Sequence, residues 1–537
     1  MNKKLRIGIL CSIIVLVMTL GHITVSEGVN TNDRYIKVGL QSPLYSDKWV
    51  NLYSSNGFSL MTVDEGFEKV FDIISTVIFV RLDYGFNDLD IETGPYHIEL
   101  DMVYNSYEEV KEQVEHLRNN DIAAYPYFNN KVFKIWIGQF ISEQCALDYI
   151  TEIENTIKNE MKVVHPDNRR IFINNFGGQE LLVFDKDTKL FISSVNANEL
   201  TSIVQVEKNK YRGYITFNRV DDELITINYV NLEQYLCGVV PREMSGSWPI
   251  EALKAQAVSA RNYALQRLGT HGNKGYDVCD TTHCQVYGGY NSEKINSTRA
   301  VTETTDKLLT YNGKIVSTFY HSSSGGKTED SENVWGSVVP YLRGVDDKFS
   351  LGAPNENWKL IISKSQIKET LENNDIYIGE IINIQPVKYS KSGRVIELGI
   401  IGTEGIHFLK NEQSRAIFGY NSLKSTMYEV ESQGGAYVLG ANYTSPKRIS
   451  LDETTIISGS GVRTPTRGSD RDDDRQVRVF NGNKLKTISS LSINYVFEGS
   501  GWGHGLGMSQ WGAKKMAEEG YTFEEILKHY YTGTEIE

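Results

Sequence analysis

The stretch VNLEQYLCGVVPREMSGSWPIEALKAQAVSARNYAL, residues 230–265, joins an apolar run to a long helical pattern through a short connection. The run before Pro241 predicts a strand or sheet edge, and Pro249 followed by Glu251 is typical of the first turn of a helix. Apolar and small residues then recur three or four positions apart, which predicts a helix that packs one face closely against a sheet. This face consists of Ile250, Leu253, Ala257, Ala260, Ala264 and Leu268. The pattern therefore predicts that Glu243 lies at a fixed corner between a strand and a helix.

A carboxyl group at this corner would lie among Val239, Val240, Met244 and Trp248 and would lose part of its hydration. Loss of hydration raises the pKa of a carboxyl group toward the range in which it acts as a general acid. A loop glutamate is more often a solvated residue or a helix cap. The local residues alone leave both interpretations of Glu243 open.

Length and composition exclude several classes of protein. The chain has 537 residues, 40% of them hydrophobic and 23% charged, which is typical of a globular protein of two or three domains. A net charge of −13 and the lack of a basic stripe argue against nucleic acid as a partner. The sequence has no G-x-S-x-G elbow, Walker loop or HExxH motif, which argues against a serine hydrolase, an ATPase and a zincin.

The N-terminus has the features of an export signal. Residues 1–28 begin with a basic head and continue with an apolar run of 14 residues, Ile7–Leu20, which is short for a spanning helix. No clear cleavage site follows, so an uncleaved membrane anchor is the alternative to a signal peptide. Either interpretation places the chain outside the cytoplasm, on the outer face of the membrane or in the cell wall, anchored or secreted.

The rest of the chain predicts an α+β fold: a β-rich domain with a few packed helices, preceded by a smaller α/β module. We expect an N-terminal region over residues 35–165 and a main domain over 175–537. Within the first, residues 95–160 predict strand, helix, strand, strand and helix, an order similar to the glycan-binding SPOR module; a purely structural α/β layer is the alternative. A polar, charge-alternating segment at about 458–484 predicts an exposed loop or insertion.

Four metal-binding side chains occur within 14 residues: His271, Cys279, His283 and Cys284. Two thiolates and two imidazoles suit a tetrahedral zinc ion, and four protein ligands would leave no open position for catalysis, so the role would be structural. The spacing is not that of a common zinc finger. A Cys279–Cys284 disulfide is the alternative, which export would permit. We expect the remaining cysteines Cys145 and Cys237 to be small buried residues.

Four stretches of the chain resemble one family. They are YLCGVVPREM…PIEALKAQAVSARNYAL (235–265), VYGGYNSEKINSTRAV (286–301), TFYHSSSGGKTEDSENVWG…PYLRGVDD (318–347) and GSGWGHGLGMSQWGAKKMAEEGYTFEEILKHYYTGTEI (499–536). Together they make residues from about 177 to 537 similar to the SpoIID/LytB family of stage II sporulation protein D and amidase enhancers. The chain looks like a long form with an N-terminal SPOR-like region.

The resemblance implies a lytic transglycosylase that cuts the β-1,4 bond between N-acetylmuramic acid and N-acetylglucosamine in peptide-stripped peptidoglycan, leaving a 1,6-anhydro end. It implies that Glu243 is catalytic. A single acid suffices, since the C6 hydroxyl of the sugar replaces the second carboxylate of ordinary glycosidases. Relatives with a similar His/Cys cluster also favour zinc at the four residues above.

The same resemblance suggests substrate-binding side chains near Glu243, although each could instead belong to a structural turn. Four glycines between Gly501 and Gly507 allow the backbone to approach a ligand or a neighbouring strand, and Ser509 and Gln510 would begin a helix. The candidates are Arg242, Ser323, Ser324, His504, Ser509 and Gln510, with His321 beside them.

Amidase enhancers give the family a second, non-catalytic role. The alternative function is a wall-binding protein that enhances an N-acetylmuramoyl-L-alanine amidase. The expected partners are peptidoglycan strands and, in addition, a cell-wall amidase or other wall-remodelling membrane proteins.

Overall fold

A computed structural model describes residues 34–41, 47–64, 66–88, 91–198, 200–433 and 494–537, together with six short strands between 436 and 489. The predicted signal or anchor at residues 1–28 lies outside the described residues, as does most of the polar segment at 458–484. In the part of the chain that is described, no helix is long and apolar enough to cross a membrane.

The helices of the described residues are numbered in chain order. They are α1 Tyr107–Arg118, α2 Glu143–Ile153, α3 Leu232–Glu243, α4 Ile250–Gln266, α5 Ile295–Glu303, α6 Ser331–Trp335, α7 Lys364–Glu372, α8 Gln413–Phe418, α9 Gln510–Glu518 and α10 Phe523–Tyr530.

The strands are numbered in the same way. Up to α4 they are β1 Tyr35–Gly39, β2 Trp49–Tyr53, β3 Phe58–Val63, β4 Phe67–Ile73, β5 Val77–Leu82, β6 Phe86–Asp88, β7 Ile91–Thr93, β8 Tyr96–Leu100, β9 Ala124–Asn129, β10 Val132–Phe140, β11 Met161–Val164, β12 Arg170–Asn175, β13 Glu180–Asp185, β14 Phe191–Ser194, β15 Ile203–Val206, β16 Asn209–Arg212, β17 Tyr214–Val220 and β18 Glu223–Asn231. After α4 they are β19 Val278–Cys279, β20 Leu309–Tyr311, β21 Lys314–Ile315, β22 Tyr320–His321, β23 Trp358–Ser363, β24 Ile381–Tyr389, β25 Val395–Gly402, β26 Ile406–Lys410, β27 Tyr428–Gln433, β28 Ala436–Val438, β29 Lys447–Ile449, β30 Ile456–Ser458, β31 Gly461–Arg463, β32 Gln476–Phe480, β33 Leu485–Ser489, β34 Asn494–Gly499, β35 Met508–Ser509 and β36 Glu535–Ile536.

Two large sheets dominate the first half of the chain, which confirms the α+β fold class. One has seven strands in the order β19-β1-β18-β17-β14-β3-β4, and the other has ten in the order β11-β8-β10-β9-β13-β12-β5-β2-β15-β16. The predicted strand, helix, strand, strand, helix order at residues 95–160 is present as β8, α1, β9, β10 and α2.

The two large sheets do not follow the predicted division between residues 35–165 and 175–537. Strands from both sides of that division share the ten-stranded sheet, and β1 pairs antiparallel with β18 and parallel with β19. A single hydrophobic core runs from Ile36 to Tyr531. The N-terminal strands are therefore part of the body that carries the site.

A second, separate core lies within the predicted main domain. It is built by β23, β27 and β34 in one sheet, β24 to β26 in another, and the helices α7 and α8. Its buried residues include Trp358, Leu398, Ile400, Tyr495 and Phe497. We call residues 356–433 with 494–500 the outer module, because this core is distinct from the main one.

The predicted strand before Pro241 is wrong, because the structure forms the helix α3 there. Asn231 caps this helix with a side chain that accepts hydrogen bonds from the backbone N–H groups of Glu233 and Gln234. A short apolar run does not distinguish a buried strand from a buried helix by its pattern. Pro241 lies in the last turn, where it removes one donor, and the helix ends two residues later at Glu243.

Helix α4 packs mainly against other helices, and it contacts a sheet, as the sequence predicted, only at β20 and β21. It contacts α3, α5, α9 and α10, and its alanines allow close approach on several sides. The wholly buried Arg261 on α4 donates to both carboxylate oxygens of Glu233 on α3, at 2.7 and 2.6 Å. This pair fixes α3, and hence Glu243, against the central helix. Leu268, predicted on the packed face, lies beyond the helix end.

Of the two cysteines expected to be buried, Cys237 on α3 is buried and Cys145 near the start of α2 is half-buried. The expectation for Cys145 is therefore wrong, because the first turn of α2 leaves its side chain partly open to solvent.

Candidate active site

Glu243 is the last residue of α3 and reaches the N-terminus of α9. Its carboxylate oxygen Oε2 lies 3.5 Å from the Gln510 amide nitrogen, and the backbone N–H of Val286 also donates to the carboxylate. Ser509 caps α9 through its hydroxyl, which accepts from the N–H of Gly512. Gln510, the first residue of α9, is therefore placed against Glu243, the last residue of α3.

Burial raises the pKa of Glu243 above its ordinary value. The hydrogen bonds from Gln510 and Val286 and the charge of Arg242 act in the opposite direction, with the smaller effect. The side chain is half-buried rather than sealed off. A carboxyl group in this environment holds its proton at higher pH than a solvated one, yet it is open to a ligand.

Gln510, predicted as a substrate-binding residue, bridges two side chains of the protein. Its amide nitrogen lies 3.3 Å from Oε1 of Gln256 as well as near Glu243. Gln256 is wholly buried on the alanine-rich α4. The sequence analysis missed Gln256, because α4 carries several other polar residues and its pattern does not single this one out.

A second polar group beside Glu243 also escaped the sequence analysis. The hydroxyl of Tyr235 donates to Oε1 of Gln285 at 3.2 Å, and the amide nitrogen of Gln285 lies 2.9 Å from the hydroxyl oxygen of Tyr320. Burial, to which Glu243 adds a charge contribution, raises the pKa of both tyrosines well above the ordinary value. No local sequence pattern singles these residues out, because they meet only in the fold.

Two distant loops pair to form the wall of the site. Ser323 and Trp502 exchange backbone hydrogen bonds at 3.0 and 2.8 Å, and β22 pairs in parallel with β35. Gly507 makes this possible, since its φ is +69° and a Cβ atom there would lie 2.1 Å from the carbonyl oxygen of Phe319. The glycine-rich stretch is therefore required for a close backbone approach between the two loops.

Three of the predicted substrate-binding residues are wholly buried: Ser323, Ser324 and Ser509. The Ser324 hydroxyl donates to Oδ2 of Asp347 at 2.6 Å, and the Tyr530 hydroxyl donates to Oδ1 at 2.8 Å. Ser509 is the cap of α9. The Ser324 and Ser509 hydroxyls thus bind other parts of the protein, whereas among the described residues the Ser323 hydroxyl has no partner.

His504 is half-buried beside exposed Trp335, with ring centroids 5.6 Å apart, and it stays a candidate for ligand contact. Its Nδ1 accepts from the backbone N–H of Leu506 at 3.0 Å. Burial, with the charges of Arg415 and Arg394, lowers the pKa of His504 to about 3. The ring is therefore neutral and its proton lies on Nε2. His321, 5.4 Å away between ring centroids, is buried, and its Nδ1 bonds the Leu506 carbonyl.

Exposed and half-buried groups surround the polar centre. Arg242 is exposed next to Glu243, where a ligand can reach it. Trp248 and Trp511 pack with ring centroids 4.8 Å apart, and the Lys514 ammonium lies over both rings. Trp511 directly follows Gln510. The site thus combines one acid, neutral hydrogen-bonding groups and aromatic surfaces, which is a suitable set for a sugar.

The structure brings together the four predicted metal ligands. One donor atom from each of His271, Cys279, His283 and Cys284 lies within 4.8 Å of the others. The closest pairs are His271 Nε2 with Cys284 Sγ at 3.3 Å and His283 Nδ1 with Cys284 Sγ at 3.4 Å. Ligands of a tetrahedral zinc ion lie roughly 3.5 Å apart, so the donor set and its spacing fit that ion.

The cysteines of this cluster are free thiols in the structure. A hydrogen bond from Cys284 lowers the pKa of Cys279, which favours the thiolate form that binds metal ions. Gln285 and Val286, which reach the Tyr235–Tyr320 pair and Glu243, directly follow Cys284. The cluster thus fixes the segment that contacts the acid.

Comparisons with known proteins agree with this geometry. Residues 220–311 match the family described as stage II sporulation protein, and residues 346–444, which overlap the outer module, match a domain of unknown function. The first match contains Glu243 and the four clustered ligands.

Three individual relatives are similar to this chain, and two of them carry the names of this family. An uncharacterized protein from Brachyspira hyodysenteriae is 28% identical over 72% of this chain and 85% of its own length. The amidase enhancer of Bacillus subtilis is 33% identical over 56% of this chain, and the match spans only 40% of that protein. Stage II sporulation protein D of Bacillus subtilis is 26% identical over 58% of this chain and 76% of its own length. These relationships support a role in sporulation or in the cell wall, and they support assignment of the chain to the SpoIID/LytB family of stage II sporulation protein D and amidase enhancers.

Proposed function

We propose that this protein is a peptidoglycan lytic transglycosylase with Glu243 as its single catalytic acid and base. The observation that carries the proposal is the half-buried carboxyl group of Glu243, whose pKa burial raises and whose Oε2 faces the Gln510 amide. The substrate is the β-1,4 bond between N-acetylmuramic acid and N-acetylglucosamine, in strands from which the stem peptides have been removed.

The reaction needs one proton donor that later becomes a proton acceptor. Protonated Glu243 gives its proton to the glycosidic oxygen as the bond to the anomeric carbon breaks. The C6 hydroxyl of the same muramic acid then attacks the anomeric carbon, and the Glu243 carboxylate takes the hydroxyl proton. The products are a 1,6-anhydro end and a free 4-hydroxyl, and Glu243 returns to its protonated form.

The neighbouring residues support both halves of this cycle. The N–H groups of Gln510 and Val286 stabilise the carboxylate that forms after proton donation, since they donate to the charged form. The neutral ring of His504 interacts with the backbone of Leu506 and Tyr320 and lies beside exposed Trp335. Arg242 and the ring pair of Trp248 and Trp511 lie where they contact the strand on either side of the cleaved bond.

We also propose a structural zinc ion at His271, Cys279, His283 and Cys284. When bound, the ion would supply a rigid tetrahedral anchor and no chemistry, because the four side chains complete its coordination. The ion would fix the positions of Gln285 and Val286. These two residues contact Tyr235, Tyr320 and Glu243.

The proposed location is outside the cytoplasm, at the membrane or in the cell wall, because the substrate is there. The N-terminal basic and apolar segment favours export, either as a signal peptide or as an anchor.

Product analysis tests the proposed reaction. The full chain is incubated with peptide-stripped and with intact peptidoglycan, and the soluble products are separated and weighed by mass spectrometry. We expect anhydro-muramic products from stripped strands with the wild type, and none with Glu243→Gln. Lys515→Ala, an exposed change on α9, serves as the matched control and should cut normally. Full cleavage by Glu243→Gln would remove Glu243 from the mechanism.

A second candidate function rests on the 33% identity to an amidase enhancer. In this account the protein binds the wall and increases the activity of an N-acetylmuramoyl-L-alanine amidase without cutting glycan itself. It predicts no anhydro products from either substrate, together with a faster amidase reaction that Glu243→Gln leaves unchanged. Comparing the wild type with Glu243→Gln therefore distinguishes the two candidate functions.

A further inference from the structure

The outer module is attached to the glycine-rich loop of the candidate site, residues 501–507. Gly503 donates its backbone N–H to the carbonyl of Lys424 at 2.9 Å. The ammonium group of Lys424 also lies over the ring of Trp502, 5.4 Å from its centroid. These contacts join a module with its own hydrophobic core to the loop that leads into α9.

One buried side chain of the outer module reaches both loops of the active-site wall. Arg394, directly before β25, donates from Nη2 to the carbonyl of Ser324 at 2.5 Å and to that of Lys327 at 3.4 Å. A Cβ atom on Gly505 would lie 2.4 Å from Cζ of Arg394, so the guanidinium packs directly on the backbone of the glycine-rich loop. Arg394 therefore holds that loop and the loop after β22, residues 322–329, in fixed positions relative to each other.

The burial of Arg394 is costly. The side chain is only 1% exposed, and its Nε and Nη1 have no hydrogen-bond partner among the described residues. Burial lowers the pKa of Arg394 to about 10, although the charge of Glu329 offsets part of this effect, so the group stays charged near neutral pH. Neutral carbonyl groups replace the lost hydration of a buried charge only in part. Stability alone is therefore a weak reason for an arginine here, and its contacts indicate a role in holding the loops.

The same segment of the outer module holds the loop after β22 at a second point. The hydroxyls of Ser390 and Ser392 both donate to Oε2 of Glu329. The backbone N–H of Glu329 in turn donates to the carbonyl of Gly505 at 2.8 Å. Residues 390–394 thus contact the two loops through separate side chains.

The loop after β22 sets the position of the residue that faces Glu243. The carbonyl of Ser322 accepts from the backbone N–H of Trp511 at 3.0 Å, which fixes the first turn of α9. Gln510 directly precedes Trp511, and its amide nitrogen lies 3.5 Å from Oε2 of Glu243. A displacement of Ser324 would therefore reach Gln510 through Ser322, within one loop and one helical turn.

We infer that Arg394 is a positioning residue for the proposed reaction, because it holds the two loops so that Gln510 stays against Glu243. The catalytic part of this inference rests on the proposed function of Glu243, whereas the positional part does not. The outer module, which overlaps the match to a domain of unknown function, is in this account a brace for the active-site wall.

Fluorine NMR of the full chain measures the positional part without cleavage. The chain has 7 tryptophans, so protein labelled with 5-fluorotryptophan gives a signal from each, and Trp511→Phe assigns the reporter on α9. Arg394→Met keeps a long side chain but removes the charge and the donors, and it should shift the Trp511 signal. Dispersed signals from Trp136 and Trp358, which belong to two other cores, show that the variant is folded.

Initial rates on peptide-stripped strands measure the catalytic part. Arg394→Met should lower kcat at least about tenfold and change KM less than about twofold, because Gln510 no longer lies against the carboxyl group while the strand still binds. Arg394→Lys keeps the charge and one donor for the Ser324 carbonyl, so it should restore part of the rate and part of the Trp511 shift. Lys391→Met removes an exposed charge from the same segment and should match the wild type in both measurements.

An unmoved Trp511 signal in folded Arg394→Met protein would overturn the inference, as would an equal shift in Lys391→Met. If Arg394→Met does not fold, Arg394→Lys takes its place, and a wild-type Trp511 signal in that variant would overturn the inference. A shifted Trp511 signal, without anhydro products from the wild type, would support the brace and contradict the proposed reaction instead.

Discussion

In the proposed reaction, the Glu243 side chain first donates a proton and then exists as an anion. Burial at the end of α3 favours the protonated form, and the donors of Gln510 and Val286 favour the anion. Both forms of Glu243 are accessible because the carboxyl group is only half-buried. The protein donates hydrogen bonds to it from Gln510 and Val286.

The pKa of Glu243 predicts a pH-dependent change in stability for Glu243→Gln. The folded pKa is raised above the unfolded value, so the stability that this group contributes is fully present below the unfolded pKa and is lost as pH rises through the folded pKa. Because glutamine carries no charge, the variant should unfold at a higher temperature than the wild type near pH 8. Near pH 4 the two proteins should unfold together. Equal melting temperatures at both pH values in thermal unfolding would contradict the raised pKa.

Gln510 has a predicted effect on the pH–rate profile. Its hydrogen bond lowers the pKa of Glu243, so Gln510→Ala should raise that pKa further and move the basic limb of kcat/KM to higher pH. We expect kcat to fall at least about tenfold, because the carboxylate loses a donor and a neighbour that holds its position. Initial rates across pH on stripped strands give both values. Lys515→Ala on the same helix should leave the profile unchanged, and a Gln510→Ala profile identical to wild type would remove this role.

At the scale of single residues, the sequence singled out some members of the candidate site and missed others. The catalytic role of Glu243 was predicted from the family resemblance, because the local residues alone left it open. The four metal-binding side chains were predicted from their composition and the same resemblance, and the structure brings them together. Ser323, Ser324 and Ser509 were predicted to bind substrate, yet they are buried, since sequence does not show which residues of a paired loop face inward. Tyr235 and Gln256 were missed because they contribute only through contacts made in the fold.

At the scale of elements, the principal error was the prediction of a strand where the structure forms α3. This helix also explains how Glu243 is held in position. An apolar run ending in Pro-Arg-Glu predicted a strand, but Asn231 caps a helix there and Arg261 binds it to α4. The helix end, rather than a loop, presents the acid. By contrast, the start of α9 at Gln510 was predicted correctly, since a short polar cap such as Ser509 is a local signal.

Because the loops that carry β22 and β35 pair closely, we expect Gly507→Ala to lower the free energy of unfolding strongly. A Cβ atom at this position would meet the Phe319 carbonyl at 2.1 Å, and the φ of +69° is itself unfavourable for alanine. We expect a loss of roughly 3 kcal/mol or more in unfolding free energy, together with loss of cleavage, because α9 would move from Glu243. Gly520→Ala is the control: φ is +94°, but nothing lies within 4 Å, so it should cost about 1 kcal/mol. Equal costs in denaturant unfolding would contradict the close approach.

At the scale of the whole molecule, the sequence predicted the α+β class and the helix-containing module but not how the parts share sheets. Strand β1 completes the sheet that also carries β18 and β19, and a second core is enclosed within residues assigned to one domain. Pairing between residues nearly 200 positions apart leaves no local pattern, so the boundaries drawn from composition do not follow the cores.

The proposed zinc ion joins β19 and the segment after it to the body. We expect about one zinc per chain by elemental analysis, and its loss in Cys284→Ser with a lower melting temperature and weaker cleavage, because Val286 is no longer fixed. Cys145→Ser alters a cysteine outside the cluster and should keep the metal. Metal-free wild-type protein in which Cys279 and Cys284 resist thiol titration would instead indicate the disulfide.

The source of the oxygen at the cut end tests the central claim most directly. Stripped strands are cleaved by the wild type in ¹⁸O-labelled water, and the terminal muramic acid is weighed by mass spectrometry. Attack by the C6 hydroxyl, with Glu243 as acid and then base, predicts an anhydro end without label, and no product from Glu243→Gln. A reducing end that carries ¹⁸O would show that water is the nucleophile and would contradict the account.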